Sequence, residues 1–551
     1  MRKLRVGLAL VMSGCMMVSA GCGQNSQDSE TADRDIEQNE TVQAELYCDV
    51  DWWHPPAWSV EEGTITGDIT ARTGVELKTT VPQQDADKQL SLMLLNDELP
   101  DLITVTDSTV ISQLVSSGKV WKLDEFLQKY CPDSHLLTEF PEDMKVALIQ
   151  RDGAWYAYPS HINSADARKI WKPCDTYYED LAQYNTNNGI MWNRNLLKKL
   201  GLSIEELSTE EQVTGAWRKA KNSDITVKGQ KVVPLLIDGS SYWDPTFKYL
   251  QYTFGAEYID ENGNYKDIML QPESRHALSF LNRAYYKGYF LAEQINYTND
   301  EVKNKIADGN VLCFIGNLSN TGMDASEWIS SGAILSSDGK KPVLGKDLHA
   351  NTGWLQTFIS KECQNPEKIA GFLDYMTSEE GMLRWKFGSE GIDYSTGEDG
   401  LIYLTEEQKK KNFDYSKNGT GAWWMFTNTA WERSVAAPPD EDSIAAQAES
   451  IENAFGKDSH TVVYDTSAFE NHTSLIQDTE LEEADMNIST LKKKWISRIV
   501  LSGSDTEFAE NYEKMLNEFN AYRITQIDED KNITFQKNKQ KMGINLEKIN
   551  K

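Results

Sequence analysis

Strand-like and helix-like segments alternate where the globular part of the chain begins. Residues 45–51 are typical of a strand, and residues 65–73 suit a helix that Gly74 ends. Residues 75–80 alternate as a second strand, and a helical stretch over 87–95 leads into an apolar strand over 99–105. This order predicts a doubly wound α/β sheet, in which ligands bind at the carboxyl ends of the strands.

The same alternation continues along the chain. It predicts further helices over 190–200, 274–287 and 365–376, and further strands over 232–237, 311–315 and 353–359. From Asp440 onward the chain is acidic and mostly helical, most clearly at 491–499 and 508–523. Although 551 residues suffice for about three domains, two α/β lobes with a helical C-terminal region account for the pattern better.

Composition excludes several classes of protein. The 10% aromatic content is too high for a disordered chain. A net charge of −30, with no basic run longer than three lysines, argues against nucleic-acid binding. The same charge disfavours an anionic ligand such as a uronate chain unless a basic pocket forms locally, because net charge sets the long-range field and not the field inside a site.

The N-terminus has the composition of an export signal. Basic residues precede an apolar run over 6–18 that is too short to span a bilayer comfortably. Small residues before Cys22 resemble a bacterial lipobox, although Ser19 stands where Leu is usual. The resemblance implies a signal peptide over 1–21 and lipidation of Cys22, with an uncleaved anchor or ordinary secretion as alternatives. Residues 22–44, polar and acidic, are predicted to be a flexible tether to the lipid bilayer.

The remaining cysteines and the histidines indicate no metal or redox site. Five cysteines follow Cys22, an odd number at wide spacings: Cys48, Cys131, Cys174, Cys313 and Cys363. They are predicted to be free, buried thiols. The seven histidines are scattered without ligand spacing. We therefore predict no metal and no cofactor.

Six short motifs run through the body of the chain in a fixed order. They are LPDLI at 99–103, DGAWYAYP at 152–159, MWNRNLLKKLGL at 191–202, DGNVLCF at 308–314, ISK with NPE and SEEG within 359–381, and GSEGIDY at 388–394. Together they resemble the extracellular solute-binding lipoproteins of ABC importers, the carbohydrate-oriented family that includes maltose-binding protein. The resemblance covers most of the body.

This resemblance implies a two-lobed fold of the periplasmic-binding-protein type II kind. Residues 45–159 with 350–436 would form one lobe and 160–349 with 437–551 the other, each a doubly wound sheet flanked by helices. The implied protein is a monomer on the outer face of the cell membrane, and not an enzyme. It would bind an oligosaccharide in the cleft between the two lobes and deliver it to an ABC transporter permease.

One departure from the family concerns calcium. Some long members carry a calcium loop, but the corresponding residues 222–231 contain a single carboxylate where such a loop needs several. We predict no calcium there. Residues 260–264 are richer in oxygen donors but lack the later bidentate Glu, and they are predicted to form an ordinary turn.

Aromatic side chains are the main candidates for ligand contacts. The 16 Trp and 23 Tyr offer rings that stack on sugars, while carboxylates and amides bind hydroxyls. Placement at predicted strand ends, lobe crossings or family-like motifs selects Trp52, Trp53, Trp58, Asp107, Trp155, Tyr156, Tyr242, Trp243, Trp354, Trp385, Glu390 and Trp423. Packing in the core is the alternative for the rings, and a helix N-cap is the alternative for Asp107.

Two other functions stay open from the sequence. A secreted glycan-active enzyme would also use aromatic rings and paired carboxylates, which sequence spacing cannot locate. The sequence contains no His-Glu-x-x-His, Gly-x-Ser-x-Gly or phosphate-loop motif, which disfavours this alternative. A peptide-binding importer receptor would also use aromatic pockets.

Overall fold

A computed structural model describes residues 41–51, 53–82, 86–347, 353–411, 419–470, 475–476 and 478–542. The predicted signal peptide, Cys22, nearly all of the predicted tether and Trp52 lie outside the described residues. The first strand begins at Val42, three residues before its predicted start.

Fifteen strands lie in the described part of the chain. They are β1 (Val42–Cys48), β2 (Val75–Thr80), β3 (Leu102–Val105), β4 (Tyr158–Pro159), β5 (Asn188–Asn193), β6 (Thr226–Val227), β7 (Gln230–Lys231), β8 (Val233–Ile237), β9 (Val311–Asn317), β10 (Trp328–Ser330), β11 (Val343–Lys346), β12 (Gln356–Ile359), β13 (Tyr394–Thr396), β14 (Ile402–Leu404) and β15 (Val462–Asp465).

The α-helices in the same residues are α1 (Ile65–Thr73), α2 (Ala86–Asn96), α3 (Ser108–Ser117), α4 (Leu123–Tyr130), α5 (Leu136–Glu139), α6 (Glu142–Asp152), α7 (Ala167–Ile170), α8 (Thr176–Tyr184), α9 (Arg194–Leu200), α10 (Glu210–Lys221), α11 (Pro245–Thr253), α12 (Pro272–Tyr286), α13 (Asn299–Ala307), α14 (Pro366–Thr377), α15 (Glu379–Met382), α16 (Glu406–Lys411), α17 (Thr429–Val435), α18 (Ile444–Lys457), α19 (Ser467–Glu470), α20 (Thr479–Val500), α21 (Asp505–Ala521) and α22 (Ile524–Met542).

The first sheet has the strand order β2-β1-β3-β12-β4. β1 pairs in parallel with β2 and β3, whereas β12 runs antiparallel to β3 and β4. Successive residues of a strand point to opposite faces, and here Leu46 and Leu102 pack on one face while Tyr47 and Ile103 pack on the other. The sheet is therefore covered on both faces.

The second sheet has the order β10-β5-β9-β8, and it also contains both strand directions. β8 is parallel to β9, and β5 is antiparallel to β9. Ile190 and Trp192 of β5 pack in the larger core, whereas Met191 between them packs on the opposite face. The two sheets thus repeat one layered α/β design, and the predicted fold class is confirmed.

Each sheet has its own hydrophobic core. The first core gathers residues between 44 and 167 and between 355 and 431, and the second gathers residues between 190 and 344 and between 455 and 535. Ile162 and Ala167, beyond the predicted boundary at residue 159, pack in the first core. The chain therefore passes between the cores more than once, and the lobe boundaries stay a prediction.

The predicted helix over 190–200 is only half right. Residues Asn188–Asn193 form β5 and the helix begins at Arg194, with the Asn193 side chain accepting from the Leu196 amide at 3.0 Å. A short apolar run suits a buried strand or a buried helix equally well, and pairing with β9 decides for the strand.

Two smaller predictions also have an outcome. The Asp260 carboxylate accepts from the amides of Asn262 and Asn264, both at 2.9 Å, so this segment forms the predicted ordinary turn. The five cysteines are free, as predicted, but only Cys48 and Cys313 are buried. Burial raises the pKa of the Cys48 thiol to about 12, which makes it unreactive.

Candidate ligand-binding site

A cavity of about 660 Å³ lies where segments of the two cores meet. Other cavities, of about 640, 620 and 450 Å³, are lined by residues within 255–273 with Lys340 and Tyr464, by residues within 168–183, and by residues within 68–72 and 375–384. The 660 Å³ cavity is lined by His161, Asn163, Arg168, Ala182, Asn185, Thr186, Asn187, Asn188, Asp244, Lys248, Tyr249, Tyr252, Asn317, Leu344, Gly345, Lys346, Asp347, Thr429, Arg433 and Phe455.

The second sheet presents one polar edge to this cavity. β8 and β9 run in parallel and end at Ile237 and Asn317, and the antiparallel β5 starts beside them at Asn188. Four asparagines at this edge, Asn185, Asn187, Asn188 and Asn317, line the cavity, and we call them the amide edge. Amides both donate and accept hydrogen bonds, which suits a ligand rich in hydroxyl groups.

A buried carboxyl group fixes the end of β9. Asp238, which follows β8, is fully buried, and its Oδ2 accepts from the Asn317 amide at 2.8 Å. The pKa of Asp238 is raised to about 6, mainly because burial disfavours its charged form. Gly316 allows this approach, because a Cβ there would lie 2.7 Å from the Asp238 Cβ.

The first core contributes His161 to the cavity. Its φ of 54° is uncommon for a residue other than glycine, and such backbone strain often occurs at binding sites. Its ring lies 2.7 Å from the Ser160 hydroxyl, which also accepts from the Leu355 amide. Burial lowers the pKa of His161 to about 4, so the ring is neutral at physiological pH and hydrogen-bonds without charge.

Five tryptophans form a connected cluster beside His161. Trp53 lies 5.7 Å from Trp423 and from Trp424, and Trp58 lies 5.0 Å from Trp423. Trp424 stacks on Trp354 at 5.3 Å with an interplanar angle of 12°. Trp354 is 47% exposed and lies 6.4 Å from the His161 ring, so this tryptophan cluster runs from the buried core to an exposed ring near the cavity.

Five of the predicted contacts are buried in the cores and do not line the cavity: Trp53, Trp155, Tyr242, Trp385 and Trp423. The indole N–H groups of Trp53, Trp155 and Trp385 donate to main-chain oxygens. The Tyr242 hydroxyl donates to the Ser497 hydroxyl. The Trp423 Nε1 is buried with no hydrogen-bond partner among the described residues. Their positions indicate that they support the fold around the site.

Asp107 caps a helix. It is exposed at the carboxyl end of β3, and its Oδ1 accepts from the amides of Thr109 and Val110 at 2.8 and 3.1 Å. This is the N-cap arrangement for α3. The other carboxylate oxygen of Asp107, Oδ2, takes no part in the cap.

The other predicted contacts lie apart from the cavity. Trp58 is half-buried and donates to Thr70, Trp243 packs under the Lys493 ammonium, and Tyr156 packs beside the first sheet. Glu390 is exposed and accepts from Thr396. Trp354 alone among the predicted contacts that lie in described residues combines an exposed ring with a neighbour that lines the cavity.

Sequence reasoning missed the polar lining of the cavity. A compositional signal for the amide edge was present, because Asn185, Asn187 and Asn188 stand within four residues of one another, at the start of β5. The missed cations Arg168 and Arg433 stand in two short helices far apart in the chain, and neither has a surrounding motif.

No metal cluster accompanies the cavity. Within the residues that the structure covers, no group of three or more His, Cys, Asp or Glu side chains is placed to hold an ion. Nor does any described helix combine the length and apolar character needed to cross a membrane.

Two layered α/β sheets with a polar cavity at their junction define the class of two-lobed solute-binding proteins. A sequence profile of the bacterial extracellular solute-binding proteins matches residues 58–383. The chain belongs to that family, which confirms the resemblance seen in the motifs. Members of this family are binding proteins and not enzymes, so the prediction that the chain is not an enzyme is also confirmed.

Solved structures share the fold at low sequence identity. The Streptococcus pneumoniae ABC-transporter substrate-binding protein FusA in complex with kestose is 16% identical with a TM-score of 0.65, covering 91% of this chain and 100% of its own. The alginate-binding protein AlgQ2 is 14% identical with a TM-score of 0.62, and the match covers 90% of this chain and 98% of that chain.

An HMO binding ABC-transporter associated solute-binding protein from Bifidobacterium longum infantis is 14% identical with a TM-score of 0.60, and the match covers 90% of this chain and 99% of that chain. No curated protein sequence matches the chain. At these identities the structures have in common with this chain the fold and not a particular ligand.

Proposed function

We propose that this protein is a membrane-tethered receptor that captures an oligosaccharide between two lobes and delivers it to the permease of an ABC transporter. The observation that carries the proposal is the 660 Å³ cavity lined by the amide edge on one side and by His161 on the other. Polar groups from both sides can bind one ligand together. Such differential contacts are what a ligand needs to favour a closed state.

The exposed Trp354 ring supports a carbohydrate over a peptide. Sugars present C–H faces that stack on indole rings. The orientation of the Trp354 ring is fixed by its stacking on Trp424. Fold relatives point the same way, since FusA was solved with kestose and the Bifidobacterium protein binds HMOs. The lobes are proposed to comprise residues 45–159 with 350–436 and 160–349 with 437–551.

Membrane attachment is proposed to follow from the lipobox-like residues before Cys22. A lipid on that cysteine, with residues 22–44 as the tether, would hold the receptor on the outer face of the membrane near its permease. Mass spectrometry of the mature N-terminus tests this step. A free Cys22 on a cleaved chain, or an intact signal peptide, would contradict it.

Titration calorimetry with a panel of plant, host and bacterial oligosaccharides tests the ligand class, with peptides as the competing class. We expect saturable binding of at least one oligosaccharide, recovered intact, and a raised melting temperature. Trp354→Ala should weaken that binding by about tenfold, in line with the loss of one stacked ring. Tyr286→Ala is the matched control, because Tyr286 is 61% exposed but, unlike Trp354, is not a neighbour of His161 at the cavity. Binding of peptides alone would overturn the carbohydrate proposal.

A further inference from the structure

A second cavity, of about 620 Å³, adjoins the proposed binding cavity. It is lined by residues within 168–183, and we call it the α7–α8 groove. The two cavities share Arg168 and Ala182 in their linings. Each volume falls within the roughly 300–1,000 Å³ that pockets for small ligands occupy, so the two together provide room for a ligand of several units.

Helix α8 runs along both cavities. Glu179, Ala182 and Gln183 line the groove, and their spacing of three and four positions places them on one face of the helix. The chain continues from this face into Asn185 and Thr186, which line the 660 Å³ cavity. The two cavities are therefore successive sections along one stretch of the chain.

The opposite face of α8 is anchored in the protein. Tyr178 and Leu181 are buried, and the Tyr178 hydroxyl donates to the carbonyl oxygen of Ala437 at 3.1 Å. Asp180 forms an ion pair with Lys457 of α18 at 2.5 Å. These contacts fix the orientation of the helix, so the face that lines the groove is ordered before a ligand arrives and costs less to immobilise.

The boundary between the two cavities is formed by the residues that they share. Arg168 donates to the carbonyl oxygen of Asn163, which itself lines the 660 Å³ cavity, and Ala167 beside it packs in the first core. The shared residue on α8 is Ala182, whose side chain is a single methyl group. Little side-chain material therefore separates the two cavities at this helix.

The groove contains polar groups that have no partner of their own. Within the part of the chain that the structure describes, the side chains of Lys172, Glu179 and Gln183 form no hydrogen bond or ion pair. An ammonium donates, a carboxylate accepts and an amide does both, which is the mixture that sugar hydroxyls require. Pro173 adds apolar surface on which the C–H groups of a sugar can pack.

We infer that the bound oligosaccharide extends from the 660 Å³ cavity into the α7–α8 groove, where Glu179 and Gln183 bind its hydroxyl groups. This inference rests on the proposed function of the first cavity. One end of the sugar chain lies against the amide edge and His161, and the following units lie along the exposed face of α8. The receptor thus selects for chain length, because a short ligand gains nothing from the groove.

Titration calorimetry of the purified protein with homologous series of neutral oligosaccharides tests the inference. The series are gluco-, xylo- and fructo-oligosaccharides and host-glycan fragments, each from the disaccharide to the octasaccharide. In the series that binds, we expect affinity to rise by at least about tenfold once the chain reaches the groove, since new hydrogen bonds form there, and then to level off.

Substitutions in the groove form the second arm of the test. Glu179→Ala and Gln183→Ala should each weaken binding of the longest homologue by roughly three- to tenfold and leave the affinity of the shortest unchanged. Alanine favours the helix, so both variants are expected to fold. Gln128→Ala is the matched control, because Gln128 is an exposed glutamine on α4 that lines neither cavity. A merely structural role would weaken short and long ligands alike.

The outcomes separate this inference from the proposed function. Affinity that does not depend on chain length would overturn the inference and leave the sugar receptor intact. A dependence on length that neither groove substitution reduces would do the same, because the chain would then extend elsewhere. An absence of binding in every series would overturn the proposed function, and the inference with it.

Discussion

The tryptophan cluster and the amide edge approach the same cavity from opposite sides, yet they differ in what they do. Trp53 and Trp423 are fully buried, and most of the cluster is packed against itself and the first core. The amide edge instead lies at strand ends and lines the cavity. Most of the tryptophan cluster therefore serves the core, and Trp354 is its exposed member, whereas the amide edge presents hydrogen-bonding groups to the cavity.

The largest effect is expected from Trp423→Ala. Removing a fully buried indole that contacts Trp53 and Trp58 should lower the free energy of unfolding by about 3–5 kcal/mol. Urea denaturation measures this change. Trp354→Ala, at the exposed end of the same cluster, serves as the control and should cost less than about 1 kcal/mol. A Trp423→Ala protein with normal stability and lost affinity would reverse the assignment of these two residues.

Gly316→Ala tests whether close packing supports the amide edge. The new Cβ would lie 2.5 Å from the Phe314 ring and 2.7 Å from the Asp238 Cβ, so we expect a loss of about 2–3 kcal/mol and weaker ligand binding. Gly371→Ala is the matched control, because nothing lies within 4 Å of its Cβ. Within α14 that substitution should stabilise the protein by up to about 1 kcal/mol. Equal effects of the two substitutions would refute the packing argument.

Glu452→Gln tests the charge balance near Arg433 through pH. Burial raises the pKa of Glu452 from its usual value of 4.5 to about 7 despite the nearby Arg433 and Lys346, so the native state holds this proton to a higher pH than the unfolded state does. Stability attributable to this group is therefore fully present below about pH 4.5 and is lost as pH rises to about 7.

The Gln variant removes that loss. We expect it to match the wild type at pH 4.5 and to be more stable by about 2 kcal/mol at pH 8, measured by urea denaturation at both values. A variant that is less stable at pH 8 would indicate that Glu452 is ionised and paired in the native protein.

Asp107→Ala is expected to have the smallest effect. Loss of the N-cap of α3 should cost about 1 kcal/mol in thermal unfolding, with ligand affinity unchanged. Asp107→Asn keeps a capping oxygen and removes the charge, so it should restore most of the stability. If affinity falls in both variants while stability holds, Asp107 is a ligand contact, as its position at a strand end predicts.

Much of the fold could be predicted from the sequence where local pattern and burial agree. The helix Ile65–Thr73 ends at Gly74 in the αL conformation, and the strand Val75–Thr80 follows directly, both as predicted. The run over 190–200 shows the limit, because its apolar residues suit either element and only pairing with β9 decides. The ligand contacts could not be selected in the same way, since Trp rings are equally suited to a core and to a cleft, and those contacts stay a prediction.

The sequence by itself determined the family, the α/β class, the order of most elements and the free state of the cysteines, because these depend on motifs, periodicity and composition. Only the tertiary structure decided which side chains line the cavity. Arg168, Lys346 and Arg433 are separated by up to 265 positions in their numbering, and no local signal links them. The packing of the two cores brings them to the lining of one cavity.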